Sequence, residues 1–91
     1  MIYTILFSEE AKEILGKWKK SNPIPFKKLG KILEDISLNP RTGIAHPEPL
    51  VGGNDILWSR RISKNDRIIY EIHDDKVIVN VLALEGHYKD K

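Results

Sequence analysis

The stretch WSRRISKNDRIIY, residues 58–70, decides how the second half of the chain folds. Its two ends are rich in β-branched and aromatic residues, and the SKND between them is typical of a turn, so the stretch predicts a β-hairpin. Three arginines lie on this hairpin, namely Arg60, Arg61 and Arg67. An arginine keeps its charge in a protein and is seldom buried without a partner. The fixed charge on this hairpin therefore needs a structural or a functional reason.

Adjacent residues of a strand point to opposite faces, so Arg60 and Arg61 are expected on opposite sides of the sheet. Arg61 and Arg67 share a face only when the loop between their strands has an odd number of residues. A three-residue loop, 64–66, brings them together by pairing Arg61 with Ile69, whereas a four-residue loop separates them. The sequence leaves both registers open.

Two guanidinium groups on one exposed sheet face suit phosphate, because each planar fork donates several hydrogen bonds to its oxygens. The alternative is that each arginine pairs with a carboxylate nearby in the sequence, Glu71 or Asp66. Neighbouring acid–base groups would favour the phosphate interpretation.

Two helices and further strands are predicted around this hairpin. A strand over 2–7 is followed by Ser8, a favourable N-cap, and by a helix with apolar residues at i, i+3, i+4 and i+7. SNPIP (21–25) breaks that helix, and a second helix is predicted from about Pro25 to Leu38. Strands are then predicted over 56–62, 67–73 and 76–84, after a loop with a short extended piece within 46–51. The predicted buried positions of the helices are Ala11, Ile14, Leu15, Trp18, Phe26, Leu29, Leu33 and Ile36.

The resulting order, β-α-α-β-β-β, favours an α+β fold with two helices packed on one face of a mostly antiparallel, twisted sheet. A chain of 91 residues is expected to form one domain, 1–91. With no apolar run near the ~20 residues of a membrane span and no signal-peptide pattern at the N-terminus, we expect a cytoplasmic protein without membrane contact.

No metal or cofactor is expected. The chain has no cysteine, which excludes disulfides and thiolate metal sites. Its three histidines, at 46, 73 and 87, match none of the usual ligand spacings.

Six lysines lie in a segment without any acidic residue, and such a patch attracts polyanions. It predicts a contact with RNA or the ribosome, and a solvated helix surface is the alternative. The six are Lys17, Lys19, Lys20, Lys27, Lys28 and Lys31.

Acid–base residues stand on either side of the hairpin in the sequence. Glu48 lies in HPEPL (46–50), where prolines restrict the backbone on both sides of it. A carboxylate held in this way serves as a base or a fixed counter-ion, although Pro-Glu-Pro is also a common rigid turn. His87 and Tyr88 end the last predicted strand as GHY, offering a proton-transfer group and a stacking surface, or a frayed tail.

In this order, PEPL (47–50), WSRRI (58–62), the arginine that opens the next strand and GHY (86–88) resemble the Txe/YoeB family of toxins. That family belongs to the RelE/ParE superfamily of type II toxin–antitoxin systems, and the resemblance covers nearly the whole chain. It implies a small RelE-like fold and ribosome-dependent cleavage of mRNA in the decoding site. It also implies neutralisation by a partly disordered YefM/Axe-type antitoxin, and it leaves open whether the free toxin is a monomer or a homodimer.

The resemblance also implies a role for each candidate residue. Glu48 matches the general base, Arg61 and Arg67 match the phosphate-binding arginines, His87 matches the general acid, and Tyr88 matches the tyrosine that positions the RNA. Such a set cleaves RNA without metal. The base takes the 2′-hydroxyl proton, the oxygen attacks phosphorus, and the acid protonates the departing 5′-oxygen.

These roles require the groups to share one face of the sheet. We therefore expect Arg61 and Arg67 on the face away from the helices, with Glu48 and His87 near them. Arg60, on the opposite face, is expected to be structural.

Two departures from the family pattern accompany the resemblance. Val51 and Glu85 stand where the family often has basic residues, and Lys89–Lys91 continue past the usual end of the chain. Two rival functions remain: a gyrase-inhibiting ParE-like toxin, and a non-catalytic RNA- or ribosome-binding module that uses the lysines. Neither rival needs Glu48, Arg67 and His87 together.

Overall fold

A computed structural model describes residues 2–84 of the chain. Its elements are β1 (Thr4–Phe7), α1 (Glu9–Ser21), α2 (Pro23–Leu38), β2 (Glu48–Pro49), β3 (Leu57–Arg61), β4 (Arg67–His73) and β5 (Ile78–Ala83). The predicted order is confirmed, with the short strand β2 added inside the loop that precedes the hairpin. The bounds of β4 are those predicted, whereas β1, β3 and β5 are shorter than their apolar runs.

Both helices begin at residues that suit a helix N-terminus. The Ser8 hydroxyl accepts a hydrogen bond from the Ala11 backbone N–H at 3.0 Å and donates to the Leu82 carbonyl at 2.9 Å, which ties α1 to β5. Helix α2 begins at Pro23, two residues earlier than predicted, because the first helical turn does not need the N–H that proline lacks. Within residues 2–84 no helix is both long and apolar enough to cross a membrane.

The five strands form one sheet in the order β1-β5-β4-β3-β2. Strand β1 runs parallel to β5, and the other three pairs are antiparallel. A parallel pair needs a long crossover, which α1 and α2 provide. The buried apolar side chains form a single core cluster, which contains Ala11, Trp18, Leu29, Ile32, Ile36, Trp58, Ile62, Ile68, Tyr70, Ile72, Val79, Val81 and Leu84.

The buried apolar positions of α1 and α2 agree with the prediction, with one addition. Four predicted positions are buried, Ile32 joins them, and the remaining predicted positions are half-buried against the same core. One face of the sheet is therefore covered, whereas the open face carries alternate residues such as Arg67, Ile69, Glu71 and His73 of β4.

The hairpin register differs from the three-residue loop considered for it. Arg61 lies directly opposite Arg67, rather than opposite Ile69, so the loop has five residues, 62–66. Ile62 is fully buried and belongs to the core, and its N–H donates to the Asp66 carbonyl at 2.9 Å. The number of loop residues is still odd. Both arginines therefore share the open face, as expected.

Candidate active site

A polar pocket of about 290 Å³ lies on the open face of the sheet where β2, β3 and β4 meet. Two register pairs build it, because Glu48 lies opposite Ser59 and Arg61 lies opposite Arg67. Ser59 and Arg61 are two positions apart on β3, so their side chains share a face. The lining residues are His46, Pro47, Glu48, Ser59, Arg61 and Arg67.

Glu48 reaches this pocket on a short and rigid piece of backbone. Prolines stand on both sides of it, and the Leu50 N–H donates to the Leu57 carbonyl at 2.9 Å, which fastens β2 to β3. Just before it, Ala45 and His46 have left-handed φ values of 65° and 55°. These φ values turn the chain sharply. Glu48 is exposed and is held at the rim of the pocket.

Arg61 and Arg67 face each other without a carboxylate partner among residues 2–84. The two alternative partners are engaged elsewhere, since Glu71 lies 3.1 Å from His73 Nε2 and the Asp66 carboxylate lies 3.1 Å from the Ser63 hydroxyl. Like charges directly opposite each other on neighbouring strands destabilise a sheet. A bound anion would relieve that repulsion.

The arginine pair also borders a second pocket of about 240 Å³. This second pocket is lined by the hairpin loop as well as by the pair, through Arg61, Ser63, Lys64, Asn65, Asp66 and Arg67. The two pockets are therefore neighbours on the open face, and both have Arg61 and Arg67 in their lining.

Arg60 lies on the other face of β3 and is 1% exposed. Its Nη1 donates to Asp35 Oδ2 at 2.6 Å, and its Nε donates to the Tyr70 hydroxyl at 3.1 Å. The hydrogen bond from Arg60 holds the pKa of Asp35 below its usual value, whereas burial raises the pKa of Tyr70. The expectation that Arg60 is structural and faces the helices is confirmed.

The remaining predicted site residues do not line the pocket among the described residues. The six lysines are exposed on α1 and α2, in the layer that covers the opposite face of the sheet. His87 and Tyr88 lie outside residues 2–84. The last described strand, β5, ends at Ala83 opposite Ile69, close to the start of β4 where Arg67 lies. Residues 2–84 contain no group of three or more histidine, aspartate or glutamate side chains suited to a metal ion.

A family model described as the YoeB-like toxin of bacterial type II toxin-antitoxin systems matches residues 7–88. The chain belongs to this family. It is 31% identical to the toxin YoeB of Escherichia coli O6:H1 over 84 residues, which cover 92% of this chain and 98% of the relative.

Solved structures agree with the family assignment. The YoeB dimer of Staphylococcus aureus superposes with a TM-score of 0.83 at 27% identity, covering 97% of this chain and 100% of that one. The YoeB–YefM complex of the same organism gives a TM-score of 0.81 at 28% identity with the same coverage. The fold prediction is thereby confirmed.

His46 and Ser59 line the pocket although they were not predicted as site residues. A signal for Ser59 was present, because it lies two positions before Arg61 on the same strand and must share its face. His46 carried a weaker signal, namely its position directly before Pro47-Glu48-Pro49. Its placement depends on the left-handed backbone at Ala45 and His46, a conformation that is uncommon for residues other than glycine.

Proposed function

We propose that this toxin is a ribosome-dependent endoribonuclease that cleaves mRNA by metal-independent acid–base chemistry. The observation that carries the proposal is the pocket in which one carboxylate, Glu48, and the facing pair Arg61 and Arg67 meet on the open face of the sheet. A general base beside two phosphate-binding groups is the minimum set for cleavage through the 2′-hydroxyl.

In the proposed reaction Glu48 removes the proton of the 2′-hydroxyl. The 2′-oxygen forms a bond to the adjacent phosphorus as the bond from phosphorus to the 5′-oxygen breaks. Arg61 and Arg67 stabilise the negative charge that grows on the non-bridging oxygens. His87 gives a proton to the departing 5′-oxygen, and Tyr88 stacks on a base to position the message. The products are a 2′,3′-cyclic phosphate and a 5′-hydroxyl.

The point at which the described residues end is compatible with these last two roles. His87 follows Leu84 by three residues, a length that spans at most about 11 Å. Strand β5 ends at Ala83 opposite Ile69, which lies two residues after Arg67 on β4.

The two charged surfaces of the molecule support the proposed dependence on the ribosome. Lys17, Lys19, Lys20, Lys27, Lys28 and Lys31 are exposed on the helix layer, on the far side of the sheet from the pocket. We assign these lysines to ribosomal RNA, so that the helix layer binds the ribosome while the open face meets the message. Backbone phosphate contacts of this kind hold a protein on RNA without reading its sequence.

The partner that neutralises the toxin is proposed to be a YefM/Axe-type antitoxin. The similar S. aureus protein is in a complex with YefM, and in this chain the facing arginines offer an anionic peptide segment a ready contact.

A homodimer, the state described for an S. aureus relative, is proposed for the free toxin and is tested by light scattering.

The test is cleavage of message on programmed ribosomes by purified protein, mapped by primer extension after the protein has been treated with chelator. Glu48→Gln keeps the shape but removes the base, so the cleavage rate should fall by about 10²- to 10⁴-fold. Glu13→Gln, a matched change at an exposed carboxylate of α1, should cleave like wild type.

Three outcomes would contradict the proposal. Wild-type rates for Glu48→Gln would remove the base assignment. Inhibition of gyrase without cleavage would favour a ParE-like toxin, and ribosome binding without cleavage would favour a passive binding module.

A further inference from the structure

We propose that Arg60 is a positioning residue for Glu48, acting through the loop 39–46 that carries Glu48 to the pocket. The inference rests on the proposed function, in which Glu48 is the general base. Arg60 itself lies on the opposite face of β3 from the pocket and is 1% exposed, so it touches no substrate. Its effect on catalysis must pass through the backbone that it holds.

Every N–H of the Arg60 guanidinium has an acceptor, and three of the five acceptors belong to this one loop. Nη2 donates to the carbonyls of Asn39 and Thr42 at 2.6 and 2.9 Å, and Nη1 donates to the carbonyl of Ile44 at 3.2 Å. The other two acceptors are the Asp35 carboxylate and the Tyr70 hydroxyl. An arginine has five such donors, so its hydrogen-bonding capacity is saturated.

The two side-chain partners of Arg60 bind the same loop a second time. The Tyr70 hydroxyl donates to the Pro40 carbonyl at 2.8 Å, and the Ile44 N–H donates to Asp35 Oδ2 at 3.1 Å. Gly43 has a φ of 123° and lies so close to the Asp35 carboxylate that a side chain there would collide with it. Residues 39–44 therefore form a collar around the ion pair of the buried Arg60 with the partly exposed Asp35.

The collar leads directly to β2, the strand that contains Glu48. The Ala45 carbonyl, next to the Ile44 carbonyl that Arg60 holds, accepts a hydrogen bond from the Arg61 N–H at 2.8 Å. Ala45 and His46 then adopt left-handed φ values, which persist in residues other than glycine only where the surroundings impose them. Without the collar this turn can relax towards an extended form and carry Glu48 away from the arginines.

Tyr70→Phe tests the inference with little change in packing. It keeps the buried ring but removes both the acceptor for Arg60 Nε and the donor to Pro40. Ile32→Val is the matched control, because Ile32 is fully buried in the same core and takes no part in the collar. Both variants are compared with wild type for unfolding in urea, for ribosome binding and for single-turnover cleavage.

We expect Tyr70→Phe to lower the cleavage rate by about 10-fold while ribosome affinity stays unchanged, since a misplacement of ~1 Å can cost up to ~10²-fold. Ile32→Val should cleave within about 2-fold of wild type, because it lowers the stability of the fold without removing a hydrogen bond that positions Glu48. Equal cleavage by the two variants would overturn the inference. If Tyr70→Phe does not fold, Asp35→Asn replaces it, at the partly exposed end of the same network.

A double variant distinguishes positioning of Glu48 from a general effect. If the collar acts through Glu48, adding Tyr70→Phe to Glu48→Gln should produce no further loss of rate. Losses that multiply would overturn the inference. If Glu48→Gln alone cleaves like wild type, the proposed function fails instead. Amide hydrogen exchange over residues 44–48 then tests whether the collar holds this backbone. If Tyr70→Phe leaves the protection of these amides unchanged, the collar does not hold the backbone and the inference is overturned.

Discussion

Arg60 and Arg61 are neighbours in the sequence, yet they occupy opposite environments. Arg60 is buried with all five N–H donors bound to the protein, whereas Arg61 is exposed and has no ion pair among residues 2–84. The strand period of two separates them. The desolvation of Arg60 is offset by its internal partners, whereas the charge of Arg61 stays exposed on the open face.

The same division extends along β4. Ile68, Tyr70 and Ile72 are buried under the helices, while Arg67, Glu71 and the other alternate positions lie on the open face. Substitutions on the helix side should therefore change stability first. Substitutions on the open side should change RNA chemistry and leave the fold intact.

The largest expected effect concerns proton donation to the departing 5′-oxygen. His87→Gln keeps size and some hydrogen bonding but cannot donate a proton at neutral pH, so cleavage on the ribosome should fall by about 10²- to 10⁴-fold. Binding of the ribosome and of the antitoxin should change little, because the arginines and lysines supply the attraction. Near-wild-type cleavage would move the acid role to Tyr88 or Arg67.

The second prediction sets the two neighbouring arginines against each other. Arg60→Leu leaves the Asp35 carboxylate and three loop carbonyls without their donor, and breaking a buried ion pair typically costs about 3–5 kcal/mol of unfolding free energy. Arg61→Leu, one residue away on the open face, should change that free energy by no more than about 0.5 kcal/mol. Urea unfolding of both variants measures the difference, and equal losses would erase the distinction between the faces.

The third prediction concerns affinity. Arg67→Ala removes charge-assisted hydrogen bonds to phosphate, each worth about 1.5–3 kcal/mol, so binding of single-stranded RNA should weaken by about 10- to 100-fold. The slope of log K against log salt should become shallower by about 0.7 for each phosphate that the variant no longer neutralises. Lys12→Ala removes one exposed charge from α1 and serves as the control. An equal weakening in both variants would mean that charge alone, rather than the facing pair, binds the RNA.

The hairpin sequence left two registers open, and the shared face of Arg61 and Arg67 was expected from the family resemblance together with an odd loop. The shared face is confirmed, although the loop has five residues instead of three. Which face Arg61 and Arg67 occupy depends only on whether the loop has an odd or even number of residues. The five-residue loop therefore has the same consequence as the three-residue loop. Ile62, the first residue of this loop, is buried in the core. Tertiary packing of this kind is not visible in turn propensities.

The collar around Arg60 could not have been predicted from the sequence. Its loop acceptors are backbone carbonyls, which every residue has, and its turn uses left-handed Ala45 and His46, a conformation that is uncommon for residues other than glycine. By contrast, Glu48 was foreseeable, because the prolines on either side mark a stiff carboxylate in any register. Side-chain chemistry is readable from sequence, whereas backbone hydrogen bonding in loops follows from the fold.

The smallest expected effect is the change with pH in the stability that Asp35 contributes through its ion pair with Arg60. Arg60 lowers the pKa of Asp35 in the folded protein, while the unfolded chain should have an aspartate pKa of about 3.9. The unfolded state therefore binds the proton more readily. The stabilisation from the charged form is present above about pH 4 and is lost as the pH falls through the folded pKa. Asp35→Asn should be less stable than wild type near neutral pH, and the gap should narrow below about pH 3 as wild type becomes protonated.

Urea unfolding between neutral pH and about pH 2.5 measures this convergence. Asp74→Asn is the control, because Arg41 also lowers the pKa of Asp74 but the side chain of Asp74 is 57% exposed. Water screens such an exposed pair, so its contribution should stay within about 1 kcal/mol at any pH. A gap between wild type and Asp35→Asn that does not change with pH would show that Asp35 holds the collar by shape alone. The buried arginine would then resemble its exposed neighbour in stabilising the fold little through charge.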